Sequence, residues 1–378
     1  MKSLRAKFLS LGMAMLLLLA ASGCTITTPS SVGSIGDVEI PAGIYLLAQY
    51  NAYNTASGDA DLATGESARD VKAVLRAECT GTIGDEEVTT DGTDYIAQLT
   101  LRSLEYYAAV ETMFDELGGV LDDAATSEAA DTAASVWESN GDLYAANGIS
   151  QATIEQYLLN NQKAQACLEL LYGENGQTPV TEAEYTDYLQ NECLYIDEVQ
   201  LPLFDANTYA FADEEQAAEI QALAEECAAT LNEWATAEQG RSERQVSMIE
   251  AASEYIPRTG EILGATMESA QALQYISSQL MTPDTLTSYG DSLTEAADAA
   301  GENTWFTYDT GMSVAVMCSV DPLEAYSLQE LIEGYDLLRT MKGTEMDNQF
   351  YAEGAALAHN LDQSAMNTYK PGNIKTEV

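Results

Sequence analysis

CLYIDEVQLPLF, residues Cys193 to Phe204, is the stretch on which the reading of the fold turns. Before it the apolar residues recur at helical spacing. Here Leu194, Ile196, Val199, Leu201 and Leu203 fall in a β-prone run, which predicts a strand.

Upstream, Thr181 and Glu184 form a capping-box pattern for a short helix ending near Gln190. Ser150 caps a longer one, with Ile154, Leu158, Ala164, Leu168 and Leu171 on one side and Gly173 at its end. Another runs from about Ser127 to Ala145. Tyr106, Val110, Met113 and Leu117 recur at helical spacing after Thr93, and Gly118 and Gly119 end that helix. Ala68 to Glu78 is a short helix, Asn54 to Gly65 a polar loop, and Ile44, Leu47 and Ala48 continue a helix that Pro41 can open. Gly36 to Ile40 is extended.

Downstream, helices are expected over Asp213 to Glu238, Gln245 to Tyr255, Met267 to Leu280 and Leu286 to Ala300. Trp305 to Tyr308 and Ser313 to Val320 read as strands, the second broken by Asp321 and Pro322. Ser327 opens a last helix with Leu328, Leu331, Ile332, Tyr335 and Leu338 on one face, continuing to about Leu361. The class is therefore α+β, mainly helical. No internal repeat supports a solenoid.

The N-terminus carries Lys2, Arg5 and Lys7, an apolar run from Phe8 to Ala21, and small residues up to Cys24. That pattern is a secretory signal over residues 1–23 ending at a cysteine. It resembles the bacterial lipobox, with Ala21 where leucine is more frequent, and the resemblance implies lipid attachment at Cys24 and an extracytoplasmic location on the cell membrane. Residues 24–35, rich in Thr and Ser with one proline, read as a flexible tether.

The chain of 378 residues has 15 Lys and Arg against 61 Asp and Glu, a net charge of −46. Three of the 15 lie in the signal, which holds no acid, so 12 face all 61 in the remainder. Such a field repels polyanions, and no nucleic acid partner is expected. GDADLATGE at Gly58 to Glu66 is the nearest approach to a calcium loop and lacks most of its ligands. Cys79, Cys167, Cys193, Cys227 and Cys318 are an odd set without C-x-x-C spacing, so buried free thiols are expected.

Candidate chemistry is sparse. His359, in AALAHNL, is the only histidine and reads as structural, and with no second one a zinc site has nothing to build from. No G-x-S-x-G, phosphate loop or dinucleotide fingerprint is present, so no metal or other cofactor is expected. The 21 tyrosines read mostly as helix-packing residues; their alternative use is an amphipathic groove tolerant of varied partners.

The layout resembles the PrsA/SurA-type extracytoplasmic foldases of the parvulin-type peptidyl-prolyl isomerase family. The likeness is carried by GDVEIPAGIYLLAQYNAY (36–53), GISQATIEQYLLNNQKAQACLELLYGENGQTPVTEAEYTDYLQNE (148–192), and the tail from SVAVMCSVDP (313–322) to NTYKPGNIK (367–375). It implies a discontinuous helical chaperone domain, residues 36–190 plus 326–369, with a small parvulin-like α/β module inserted at 192–322. It also implies binding of unfolded or newly secreted polypeptides in a helical cradle lined by Ile44, Tyr106, Val110, Leu158, Leu168, Leu331 and Tyr335. The family's isomerase site uses one histidine on the first strand of the insert and one on the last. Gln200 and Val314, or a neighbour of Val314, occupy those positions, so the insert is expected to be degenerate and isomerase activity lost. Two other readings are an active isomerase and a structural or solute-binding lipoprotein. The last would need two α/β lobes with parallel sheets, which these few strands do not supply.

Overall fold

The structure is a computed structural model that describes residues 29–84, 86–206, 208–235 and 240–377. Cys24 and the signal lie outside the described residues. In chain order the elements begin with β1 (Ser31–Ile35), β2 (Val38–Pro41), α1 (Ala42–Asp59), β3 (Ala60–Asp61), α2 (Val71–Arg76), β4 (Glu78–Ile83) and β5 (Glu86–Asp91). Three long helices follow: α3 (Gly92–Glu116), α4 (Asp123–Ala146) and α5 (Gln151–Tyr172). Next come α6 (Glu182–Asn191), β6 (Leu194–Pro202), β7 (Phe204–Asp205), β8 (Ala210–Phe211), α7 (Glu214–Trp234), α8 (Arg241–Leu263) and β9 (Ile276–Met281). The chain then forms α9 (Pro283–Thr287), α10 (Asp291–Ala300), β10 (Trp305–Asp309), β11 (Ser313–Val320), α11 (Pro322–Ala325) and α12 (Leu328–Gly334). It closes with α13 (Leu337–Ala356), β12 (His359–Leu361) and α14 (Gln363–Met366). The class is α+β and mainly helical.

The chain divides into two compact units, residues 1–171 with 345–378, and residues 172–344. The second is an insertion in the first, but its borders differ from the expected 190/192 and 322/326. Leu189 of α6, Leu331 of α12 and Leu337 are fully buried in the same core as the sheet residues Tyr195 and Val320. Helices expected to close the chaperone domain therefore belong to the insert.

In the first unit α1 packs on α3, and β1 is the middle strand of an antiparallel sheet, β12-β1-β2. This corrects the expected tether over Ser31 to Ile35. Val32 and Ile35 are fully buried against Ile40, Ile44 and Leu104. Gly33 makes the pairing possible: its φ is +108° and a Cβ there would lie 2.3 Å from the Asn360 carbonyl oxygen, so no other residue fits. A second sheet, β3-β4-β5, covers the other end of α1 and α3 around Tyr53, Val74, Cys79 and Tyr95. The expected loop from Asn54 is helical to Asp59, and the expected helix over Ala68 to Glu78 is cut to α2 because Glu78 already pairs with Asp91.

The second unit is built on the antiparallel sheet β10-β11-β6-β9. Tyr195, Val199, Leu201, Val314, Val316, Cys318 and Val320 pack under α7 and α8. Ile196, Ala315 and Met317 face the other way, with Leu293 of α10. Three expectations change. Met267 to Leu280 is a 3₁₀ turn at Ser269–Gln274 followed by β9, because the free edge of β6 captures Ile276 to Met281. The helix expected to stop at Tyr255 runs on through Pro257 to Leu263; the Ser253 carbonyl that Pro257 cannot serve accepts the Ser269 hydroxyl at 2.7 Å. The long helix over Asp213 to Glu238 starts at its N-cap Asp213 and ends at Trp234.

The five described cysteines are free and buried. Burial pushes the Cys167, Cys227 and Cys318 thiols up to about 12, which keeps them protonated and inert at neutral pH. His359 lies in β12, not in the last helix, with Nε2 3.3 Å from Glu105 Oε1.

α13 contains two glycines with opposite surroundings. A Cβ on Gly354 would sit 2.3 Å from the Glu105 carbonyl oxygen of α3, whereas on Gly343 it would meet only the Arg339 side chain at 3.4 Å. Gly354→Ala is expected to lower stability by about 1–3 kcal/mol through overpacking. Gly343→Ala should raise it by up to about 1 kcal/mol through helix propensity. Urea unfolding of both variants measures the pair.

Candidate peptide-binding surface

β6 and β11 form the centre of the sheet, with Gln200 opposite Ala315 and Leu201 opposite Val314. Side chains alternate along a strand, so Gln200 shares a face with Ile196, Ala315 and Met317, and Val314 shares the helix-covered face with Leu201. The two positions expected for the isomerase histidines thus point to opposite sides of the sheet. The neighbours of Val314 on the Gln200 side are Ala315, whose methyl group offers no chemistry, and Ser313, whose hydroxyl lies 3.0 Å from the Thr310 hydroxyl, and Val314 itself is buried in the core.

The polar groups inside this unit are tied up structurally. Asp197 and Arg244 are almost fully buried; Arg244 Nε donates to Asp197 Oδ2 at 3.0 Å and the Ser278 hydroxyl donates to Asp197 Oδ1 at 2.5 Å. Glu198, also buried, points to the opposite face and accepts the Ser277 hydroxyl at 2.9 Å. Beside the Asp197 pair, the Tyr195 hydroxyl donates to the Tyr326 hydroxyl at 3.0 Å, and the Arg241 guanidinium lies 3.9 Å from the Tyr326 ring centroid. Among the described residues no group of three or more His, Cys, Asp or Glu side chains could hold a metal ion.

The accessible apolar surface is elsewhere, at the end of the sheet beyond Pro202 and Ser313. There β7 and β8 form a short ribbon in which Phe204 stands opposite Phe211, their ring centroids 5.9 Å apart. The ribbon is anchored at its base by Leu203 N–H to the Met312 carbonyl (2.9 Å) and Ala212 N–H to the Leu203 carbonyl (2.8 Å). Tyr209 is 79% exposed, Phe211 61% and Met312 50%. Tyr209 has φ +56°, uncommon for a tyrosine, and its N–H donates to the Asp205 carbonyl at 2.8 Å. Of the other exposed large apolar side chains, Val120 lies between α3 and α4, and Tyr157, Trp234, Val246 and Leu273 lie one to an element. Single exposed apolar residues are ordinary; three exposed ones, Tyr209, Phe211 and Met312, on adjoining segments beside the half-buried Phe204 make a candidate contact surface.

No family model matches the chain, and no curated protein matches it. Among solved structures it is similar to a foldase. That structure is the foldase protein PrsA from Streptococcus pneumoniae, strain Canada MDR_19A, with 12% sequence identity, a TM-score of 0.35, and coverage of 77% of this chain and 98% of that one.

The expected cradle residues are packing residues. Ile44, Val110 and Leu168 are buried in the first unit, and Leu158 is partly buried against the Leu47 and Ile154 core. Tyr106 is half-buried, its hydroxyl donating to Asp347 at 2.7 Å and its ring tilted against Phe350 and Tyr351. Leu331 is fully buried, and Tyr335 partly buried, in the core of the second unit. Five of them belong to the first unit and two to the second. The rim residues Phe204, Tyr209, Phe211 and Met312 escaped the sequence reading because β7 and β8 have two residues each. The available signal was three aromatics, Phe204, Tyr209 and Phe211, within the nine residues LFDANTYAF.

Removing Arg244 alone strands a buried carboxylate, so Arg244→Met should cost about 3–5 kcal/mol. Adding Asp197→Asn to it should restore part of that loss, because both charges are then gone. Denaturant midpoints of the wild type, the single and the double variant make the comparison.

Proposed function

We propose that the protein is a membrane-tethered, extracytoplasmic chaperone that holds apolar stretches of unfolded polypeptide, and that it does not catalyse prolyl isomerisation. The observation that carries this reading is the rim where Tyr209, Phe211 and Met312, beside the half-buried Phe204, leave large, adaptable apolar side chains in water on an otherwise strongly acidic protein. Methionine and tyrosine accommodate many partner shapes at low entropic cost, as binding of varied unfolded segments requires. The high net negative charge keeps the protein and its complexes apart from one another.

The lipobox-like segment ending at Cys24 supports the tether and the location. Among the described residues no helix is long and apolar enough to cross a membrane. Loss of isomerase activity is supported by the division of Gln200 and Val314 between the two faces of the sheet, and by the absence of any histidine other than His359 from the sequence. A solute-binding reading finds no support in the sheets, since the described pairings are antiparallel.

The purified protein should suppress light scattering by a chemically unfolded client diluted into buffer. The triple variant Tyr209→Ser, Phe211→Ser, Met312→Ser should need several-fold more protein for the same effect while melting at the wild-type temperature, because exposed positions contribute little to stability. Equal suppression by variant and wild type would remove the rim from the function. In a proline-peptide assay the rate should equal the uncatalysed one, and a catalysed rate would restore the isomerase reading.

A further inference from the structure

Met312 of the rim sits in the turn between β10 and β11, and β10 is an edge strand of its sheet. On one side Trp305 to Asp309 pair with Cys318 to Val314; on the other side β10 has no neighbouring strand among the described residues. Two observations fix which backbone groups face that open side. Thr310 N–H donates to the Ser313 carbonyl at 2.9 Å, so the hydrogen-bonded pairs of this antiparallel ladder fall on the even-numbered residues Phe306 and Tyr308. Trp305, at an odd position, bonds outward: its N–H donates to Asn232 Oδ1 at 2.8 Å and its carbonyl accepts Asn232 Nδ2 at 2.9 Å. The N–H and C=O of Thr307 and Asp309 therefore point away from β11, like those of Trp305.

Asn232 is the decisive group. Its amide makes with Trp305 the two contacts that one residue of an antiparallel neighbour strand would make. The edge thus already holds an amide at one outward pair, while the next two, at Thr307 and Asp309, have no partner among the described residues. Edge strands are commonly guarded by Lys or Pro, and β10, WFTYD, has neither. The charges beside it are negative: Gln221 Nε2 donates to both the Thr307 hydroxyl (3.3 Å) and Glu225 Oε1 (3.0 Å), and Asp309 is exposed. An acidic segment is repelled from such an edge, whereas a neutral or basic one is not.

We propose that β10 receives an extended, neutral or basic stretch of unfolded polypeptide as an added antiparallel strand, hydrogen-bonded to Thr307 and Asp309 and stopped by Asn232. Backbone bonding gives affinity for many sequences, and the nearby Met312 gives an apolar side chain of the same segment a place to rest. The proposal rests on the chaperone reading for the source of that polypeptide.

The test uses the full chain and the blocked peptide Ac-VTKTV-NH₂, beside its counterpart N-methylated at every residue, which keeps the side chains and loses the donors. In calorimetric titration the N-methylated peptide should bind about tenfold more weakly, the size expected for two lost backbone hydrogen bonds. Residue-resolved amide exchange should find the Thr307 and Asp309 amides fast in the free protein and about tenfold slower at peptide saturation, with Phe306 and Tyr308 slow in both. Asn232→Ala uncovers the Trp305 pair and should tighten the peptide about threefold to tenfold, opposite in sign to a merely structural loss. Thr307→Pro, at an edge position whose N–H faces outward, is compatible with the strand and should weaken the peptide about tenfold. No binding, equal binding of the two peptides, no added protection at Thr307 and Asp309, or unchanged or weaker binding in Asn232→Ala overturns the added strand. Suppression of client aggregation by the same preparation would then leave the chaperone reading standing without it.

Discussion

The second unit depends on the register of β6, which is bonded along both edges and buried on both faces. Asp197 lies opposite Cys318 and Ser278, and Glu198 opposite Met317 and Ser277. A slip of one residue would exchange the faces of these two carboxylates. Asp197 would leave Arg244 for the α10 side, and Glu198 would enter the space that Arg244 and Ser278 fit around Asp197. The apolar residues would move with them, sending Val199 and Leu201 out of the core under α7 and α8. The ion pair is thus better understood as a device that selects one register than as a source of net stability, since desolvation offsets much of the attraction of a buried pair.

That register also fixes what the two ends of the sheet can do. At the Pro202 end, β6 and β11 finish where the chain turns into the β7–β8 ribbon, so aromatic side chains are delivered to the surface by a base whose hydrogen bonds are already made. At the Leu194 end, β11 runs into Asp321 and Pro322, which stop the strand and leave Ser319 at the floor of a cleft. One end is apolar and exposed, the other polar and recessed.

The sequence revealed most where a pattern is complete within a few neighbours. The alternation in Leu194 to Pro202, the apolar run Ser313 to Val320 and the Thr181 capping box are local, and the structure has all three. Elements whose reason lies far along the chain were hidden. SSVGSI reads as tether because nothing in it announces that β12, more than 300 residues later, supplies its partner. ISSQLM carries two serines in a weak helical pattern and becomes a strand only because β6 offers an edge. The expected cradle meets a related limit: a stripe of apolar residues at helical spacing cannot tell a core face from a binding face, and Ile44, Val110 and Leu168 are buried.

Charge distribution completes the picture. The few basic side chains are spent largely inside or along the fold. Arg244 neutralises Asp197, Lys163 pairs with Glu111, Arg258 grips Glu226 through both nitrogens, and Arg102 and Arg241 lie over Tyr351 and Tyr326. What remains at the surface is overwhelmingly carboxylate. Two copies of such a protein repel at long range, yet apolar attraction at the rim acts only at contact and is unaffected by that field. An uncharged or basic unfolded segment can therefore approach the rim, whereas a second copy of this acidic chain is held away from it. The acidity that says nothing about chemistry in the sequence has a physical consequence at the rim: it opposes the approach of a second copy of this chain.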